Sequence, residues 1–507
     1  MSVIPGSLKT IPERQRGLML SGMRWTLWLS IASAPLGFVT TIVLGRIGPD
    51  LLGTYTVLSM YIAITSVFLF FGGNGVAIKF LPELAPEDRG AFLLSYFFLT
   101  LLAVLPYQIA GSLWPQGLRY VLGSEISNRF AILLIWLAPL YILFSILLAA
   151  LKGLLEIKWA QIYNRLITFS NFAVYLILFL CARAFLEKHY FPVIWSLYLI
   201  LALLLTVVAG LHLASRLGKE AIQKSFRFLL PRGFWRYTGS LQANCVLDFL
   251  SRQLDCIFIV DLGGVTMLGR YTALLTLISI IPTFATFILD SLLPSLTNTL
   301  AAQDYGSSRH LTEVYLRFIL PCGVIAATFA TLFAHPVFGL FGSKYANLVE
   351  LGLLAFPFAG IQVMNWFCGT LFTAIGQPHL TIAAKVIRCV VFCATFFPLW
   401  NRYGLLGAVL AWAAGETSDQ IVLLFLLMRR MPYHFSVKRI YAAFLGCLCL
   451  SALAAVIVGG HRPFASFAIW ILLIAGFFLV AQYSVREIRE LAHMVLPARI
   501  FALIGQG

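Results

Sequence analysis

The sequence predicts an all-α polytopic membrane protein of about 14 transmembrane helices: two parallel six-helix lobes around a central cavity, then a C-terminal helix pair. Three observations predict it. The chain of 507 residues is 60% hydrophobic and only 11% charged, with a mean hydropathy of +0.91. Its apolar residues fall in runs of about 20, the helix length that crosses ~30 Å of hydrocarbon. The first half of the chain is echoed in the second. Backbone groups in hydrocarbon find no water partner, so the runs should be helices; the ten-residue alternation of barrel strands is missing.

The spans follow in order. The first, 20–45, comes after a short basic tail without a clear cleavage site, which reads as a retained anchor. The next are 52–78, 91–114, 129–150, 162–184 and 191–214, completing an N-terminal lobe over 1–215. The segment 216–236, RLGKEAIQKSFRFLLPRGFWR, carries six Lys and Arg and reads as an amphipathic linker on the cytoplasmic face. Spans at 237–261, 271–300, 313–334, 348–374, 379–400 and 404–428 make a C-terminal lobe over 237–430. Two more, 438–458 and 465–484, form an additional unit with a tail, 431–507. Within 52–78, the stretch FFGGNGVA has no strand before it and reads as a kink.

Charge sets the orientation. Of the 36 Lys and Arg, 26 fall on the side of the N-terminal tail and of every second loop, 9 on the other, and Arg252 lies inside a span. The positive-inside rule then predicts a plasma membrane protein with both termini in the cytoplasm. The same bias accounts for the net charge of +16, so no nucleic-acid partner is expected. The nine Cys are scattered through apolar runs and read as packing residues. The chain has no N-x-S/T site, which suits a bacterial inner membrane.

The internal repeat is specific in position. GRIGPDLLGTYTVL at 45–58 returns as DLGGVTMLGRYTALL at 261–275. A shift of 216 pairs Gly53 with Gly269, Tyr55 with Tyr271 and Thr56 with Thr272. LPEL at 81–84 recurs as LPSL at 293–296, and a shift of 223 pairs Arg165 with Arg388. Each copy has an even number of spans, so the copies enter from the same side and are parallel.

Charges inside spans are the candidate functional residues, since one at mid-bilayer costs about 2.5–3.5 kcal/mol on insertion scales. On the seventh span Asn244, Asp248, Arg252 and Asp255 share about 80° of helix arc. They either line a wet cavity or form a structural cluster holding that helix to its neighbours. On the twelfth, Trp412, Glu416, Asp419 and Gln420 share about 100°. Glu416 and Asp419, with Asp255, are candidates for coupling a proton or sodium ion; a helix–helix hydrogen-bond pair is the other reading. Arg165 lies beside a polar stripe of Asn164, Thr168, Asn171 and Tyr175, and Lys385 shares the face of Arg388. Arg24 opens the first span one turn before Trp28, a plausible cation–π pair. These cations either serve an anion or snorkel to the cytoplasmic surface. Asp290, near Pro294, reads as structural. No phosphate-binding G-x-x-x-x-G-K-[ST] loop and no H-E-x-x-H are present, His212 and His335 fall at opposite ends of the membrane, and no catalytic set, metal site or cofactor is expected.

The hairpin Arg46-Ile47-Gly48-Pro49-Asp50-x-Leu52-Gly53-x-Tyr55, followed by Pro82, resembles the polysaccharide transporter family of the multidrug/oligosaccharidyl-lipid/polysaccharide exporter superfamily. Ile47 and Asp50 replace the leucine and glutamate usual there. The duplicated lobes extend the resemblance over about 1–430, and 14 spans look more like the lipid II flippase branch than the twelve-helix drug exporters. The resemblance implies a flippase, not an enzyme. It would move a polyprenyl-pyrophosphate-linked sugar or oligosaccharide to the periplasmic leaflet, by alternating access, for exopolysaccharide or lipopolysaccharide synthesis. Its expected partners are the lipid-linked glycan, membrane lipids, a coupling proton or sodium ion, and a polymerase or export machinery. Arg24, Arg165, Asn171, Asp248, Arg252, Asp255, Lys385 and Arg388 would then form the head-group cavity. The alternatives are a cation-coupled drug or metabolite exporter and, further off, a membrane glycosyltransferase or polymerase. Against the enzyme, the largest outer loop, 114–129, holds one acid.

Overall fold

The computed structural model describes residues 36–73, 75–114, 128–154, 156–181, 183–217, 227–301, 304–375, 377, 379–431, 438–458 and 463–482. They are almost wholly helical. The helices, in chain order, are α1 (Leu36–Ile47), α2 (Pro49–Leu69), α3 (Gly75–Glu83), α4 (Arg89–Leu113), α5 (Asn128–Gly153), α6 (Ile157–Cys181) and α7 (Arg183–Leu217). Then come α8 (Phe234–Ala301), α9 (Tyr305–Leu332), α10 (Val349–Ala374), α11 (His379–Tyr403), α12 (Leu405–Arg430), α13 (Lys438–Val458) and α14 (Pro463–Val480). The described part of each predicted span falls on these helices; most of 20–45 lies outside the described residues, and 52–78 is divided between α2 and α3. Among the described residues nine helices are long and apolar enough to cross a membrane, and three shorter apolar ones accompany them. Contacts divide the chain into two compact units, one ending at Ala273 and one beginning at Leu274.

In the first unit, the predicted kink is a full break between α2 and α3. A break in hydrocarbon strands backbone groups, and two polar side chains from elsewhere take them up. The Gln242 amide accepts from Gly72 N at 2.8 Å and donates to the Val67 carbonyl. The Tyr96 hydroxyl lies 2.8 Å from the Phe71 carbonyl and 3.0 Å from that of Gly73. Around it Phe70, Phe80, Phe92, Tyr96 and Phe234 form a buried aromatic core.

Two predicted spans, the seventh and eighth, are merged in α8, and the bend between them is at Gly264, where φ is +77°. That region is open to glycine and strained for other residues. The turn returns the start of the second half-helix onto α2. Repeat mates meet there: Thr56 and Thr272 are hydrogen-bonded hydroxyl to hydroxyl at 2.9 Å, and Thr266 donates to the Asp50 carboxylate. A Cβ on Gly53 would overlap the Val265 carbonyl, and one on Gly269 the Pro49 carbonyl, so the backbones meet as closely as two helices can. Residues 216 apart touching each other mean that a local two-fold axis runs through this crossing. Of the basic segment 216–236, residues 216–217 end α7 and 234–236 begin α8; the described residues between, 227–233, are not helical, and Leu229 N donates to Ser95 Oγ at 2.8 Å.

In the second unit, α11 and α12 form an antiparallel hairpin closed at Gly404, whose N donates to the Trp400 carbonyl at 2.8 Å. α13 lies against α9 and α10, with Phe444 against Gly323 and Leu448 against Gly360. α14 is pinned through Trp470, whose indole N–H donates to the Ile325 carbonyl at 3.4 Å. The outward stripes are apolar, as lipid contact requires: Val386, Val390 and Phe397 on α11, Ile421, Phe425 and Met428 on α12.

Candidate functional site

Among the described residues, the most concentrated polar chemistry lies inside the second unit, among α10, α11 and α12. The α11–α12 hairpin brings Arg388 opposite Glu416. Arg388 Nη2 is 2.6 Å from Glu416 Oε1; the carboxylate side chain is fully buried and the guanidinium side chain 15% exposed. From α10, Gln362 Nε2 donates to Oε1 at 2.5 Å and Asn365 Nδ2 to Oε2 at 3.1 Å. Each carboxylate oxygen is therefore held by at least one donor from a neighbouring helix. One turn on, Asp419 and Gln420 are also buried. Asp419 lies within the fields of Arg388, Glu416 and Lys385, so two acids sit with two cations. The Asn365 Oδ1 and both polar atoms of Gln420 are buried with no hydrogen-bond partner. The network is closed around Glu416 and open around Gln420.

The first unit carries a different site. Gly37, Thr40, Tyr55, Tyr141, Asn164, Ile167 and Thr168 line a cavity of about 220 Å³. Two members of the predicted α6 stripe, Asn164 and Thr168, thus face one space. Arg165, next in sequence, lies close enough to Lys152 for the two charges to repel.

The predicted face of the seventh span divides. Arg252 Nε pairs with Asp248 Oδ2 one turn away at 3.2 Å, with both side chains well exposed. Asp255 is buried: its Oδ2 accepts from the Tyr271 hydroxyl at 2.7 Å and its Oδ1 from Cys256 N at 2.8 Å. Tyr271 reaches it because the chain reverses at Gly264. Arg24 and Trp28 lie outside the described residues, as do the side chains of Asn171, Asn244 and Asp290. Sequence reasoning passed over Gln362 and Asn365. Their spacing of three within an apolar span was the available signal, because it puts two amides on one helix face.

No protein-family model and no curated protein sequence matches the chain. Solved structures do. One described as the lipid II flippase MurJ in an inward closed conformation is 13% identical, covering 90% of this chain and 97% of its own, with a TM-score of 0.66. An inward-facing multidrug resistance MATE family transporter of the MOP superfamily is 15% identical, covering 80% and 98%, with a TM-score of 0.64. A MOP superfamily transporter from Pyrococcus furiosus, described as having a binding pocket of reverse polarity, is 15% identical over 82% and 96%, with a TM-score of 0.59. The chain has the fold of MOP superfamily transporters, the superfamily its 45–58 hairpin resembles.

Proposed function

We propose that the chain is a flippase for a polyprenyl-pyrophosphate-linked sugar or oligosaccharide, carrying it from the cytoplasmic to the periplasmic leaflet of a bacterial inner membrane by alternating access. The observation that carries this reading is the reach of the lipid II flippase likeness. It spans 90% of the chain, against 80% and 82% for the two transporters above and 87% for a MATE structure in the bent conformation. A helix pair beyond twelve is an addition that a lipid-tailed substrate can use as a groove.

Chemistry supports the same substrate class. A sugar head group needs a polar route, because its hydroxyls lose their hydrogen bonds in hydrocarbon. A diphosphate needs cations, and guanidinium binds phosphate oxygens in pairs. An inside-negative potential drives a dianion outward by about 4–5 kcal/mol per 100 mV when its full charge crosses. Arg165, Arg388, Lys385 and Arg24 are assigned to the head group, with Asn171, Asp248 and Arg252 along its path and Asp255, buried under Tyr271, holding that helix in place. Since Glu416 holds Arg388, the diphosphate has to compete with that carboxylate. A proton or cation arriving at Glu416 or Asp419 would release the guanidinium, which gives those acids a coupling role. Polymerase or export proteins that use the flipped lipid are the expected partners.

The test is transport of a fluorescent polyprenyl-diphosphate sugar across proteoliposomes holding the purified chain. Transport should appear with the wild type and vanish when Arg165 and Arg388 are both replaced by Gln at unchanged protein level. Full transport by the double variant removes their role, and no transport by the wild type removes the reading. The buried acids Glu416 and Asp419 favour a second reading, a cation-coupled exporter. It predicts uptake of small cations driven by a sodium or proton gradient, with the lipid-linked sugar left in place.

A further inference from the structure

The cavity of the first unit has a lining that the head-group cations do not explain. Its polar groups come from four helices: Thr40 on α1, Tyr55 on α2, Tyr141 on α5, and Asn164 and Thr168 on α6. Among the described residues none that lines it is a Lys, Arg, Asp or Glu. A diphosphate or a metal cation would find no counter-charge there, and burying an ion without one is costly. An isoprenoid tail would set the Tyr141 phenol, the Asn164 amide and the Thr168 hydroxyl against hydrocarbon. What suits these walls is a neutral, many-hydroxyl ring, which donates and accepts around its rim and offers flat C–H faces to tyrosine. The Thr40 hydroxyl gives its proton to the Leu36 carbonyl at 2.8 Å and so faces a ligand as an acceptor. A volume of about 220 Å³ is on the scale of one such ring.

The cavity also adjoins a cation. Arg165 stands about 100° around the helix from Asn164 and about 60° from Thr168, beside the cavity wall and not in it. A group joining a neutral ring to an anion would meet both.

We propose that this cavity is a subsite for one neutral sugar of the lipid-linked substrate, the one attached to the diphosphate. The inference rests on the flippase reading and adds a place and a specificity to it: Tyr141, Asn164 and Thr168 discriminate the glycosylated carrier from the bare one.

The test uses the full chain in lipid nanodiscs and two probes. One is polyprenyl diphosphate alone; the other carries a single neutral sugar, galactose or N-acetylglucosamine. The wild type should bind a glycosylated probe about tenfold more tightly than the bare one, the effect of a few net hydrogen bonds. Asn164→Leu and Tyr141→Phe should bring the ratio toward one while leaving the Kd of the bare probe unchanged. Thr168→Val, which keeps the side-chain shape, should do the same if either larger change lowers the melting temperature. Equal binding of all probes by the wild type overturns the subsite. So does an equal weakening of both probes in the variants, which marks the cavity as a water-filled structural feature. If the wild type binds no probe at all, the lipid-carrier reading falls first and the subsite with it.

Discussion

Glu416 illustrates what a buried charge needs. Its two oxygens accept from one guanidinium and two amides, and the surrounding α10, α11 and α12 exclude solvent from it entirely. Such a pair contributes little net stability compared with apolar residues of the same size, yet removing one member leaves an uncompensated ion. Arg388→Met should therefore lower the unfolding free energy by about 3–5 kcal/mol, read as a lower melting temperature in detergent. Arg388→Met combined with Glu416→Met should recover most of the loss. A single variant as stable as the wild type would show that the pair is not buried in the folded protein. The charges of this site were legible in the sequence, because a Glu and an Arg inside apolar runs stand out. The amides were not, since Gln362 and Asn365 carry no charge and their role appears only when α10 is set against α12. Asp255 shows a different limit. A helical wheel puts it on one face with Asp248 and Arg252, but the wheel ignores rise along the axis. One level up, Tyr271 covers that face, and only the reversal at Gly264 brings it there.

Helices follow from apolar run length, so some elements were legible nearly to the residue: the predicted span 438–458 coincides with α13, and 348–374 differs from α10 by one position, whereas the polar first turns of α7 and α9 extend those helices beyond the predicted 191–214 and 313–334. The break after Leu69 was legible as glycine-rich, but its extent was not, because it depends on Gln242 and Tyr96, which are remote in sequence. The duplication was legible too, and here structure adds something alignment cannot: the aligned residues are in contact. Thr56 and Thr272 hydroxyls lie 2.9 Å apart across the α2–α8 crossing. Replacing both by Cys puts two thiols within reach of a bond, given that disulfides need Cβ atoms about 3.5–4.5 Å apart. Oxidation of Thr56→Cys/Thr272→Cys should give the intramolecular disulfide in high yield, detected by mass spectrometry of peptides. A leucine at Gly53 should block the crossing altogether, since even a Cβ overlaps the Val265 carbonyl. An uncrosslinked pair in a folded, membrane-inserted protein would mean that the repeats do not meet there.

At the scale of the whole molecule, the C-terminal helix pair can be separated from the rest on physical grounds. α13 buries Phe444 and Leu448 against α9 and α10, and α14 adds the Trp470 bond to the Ile325 carbonyl and accepts the Cys447 thiol at the Leu473 carbonyl. In water, removing two helices would expose that apolar face and unfold the unit. In a bilayer the replacement solvent is lipid, as apolar as the side chains removed, so the hydrophobic penalty largely disappears. The hydrogen bond from Trp470 is lost without stranding a helix carbonyl, because Ile325 lies within α9. A chain ending at Arg430 should thus insert and fold, with Arg388, Glu416, Gln362 and Asn365 all retained, and keep a melting temperature close to that of the full chain. If the pair provides the groove for a polyprenyl tail, the shortened protein should bind a short-chain diphosphate sugar normally. It should lose most transport of the long-chain one in proteoliposomes. Equal loss for both tail lengths would assign α13–α14 to structural support. Undiminished long-chain transport would separate lipid flipping from the helix pair and leave the twelve-helix body as its sole carrier.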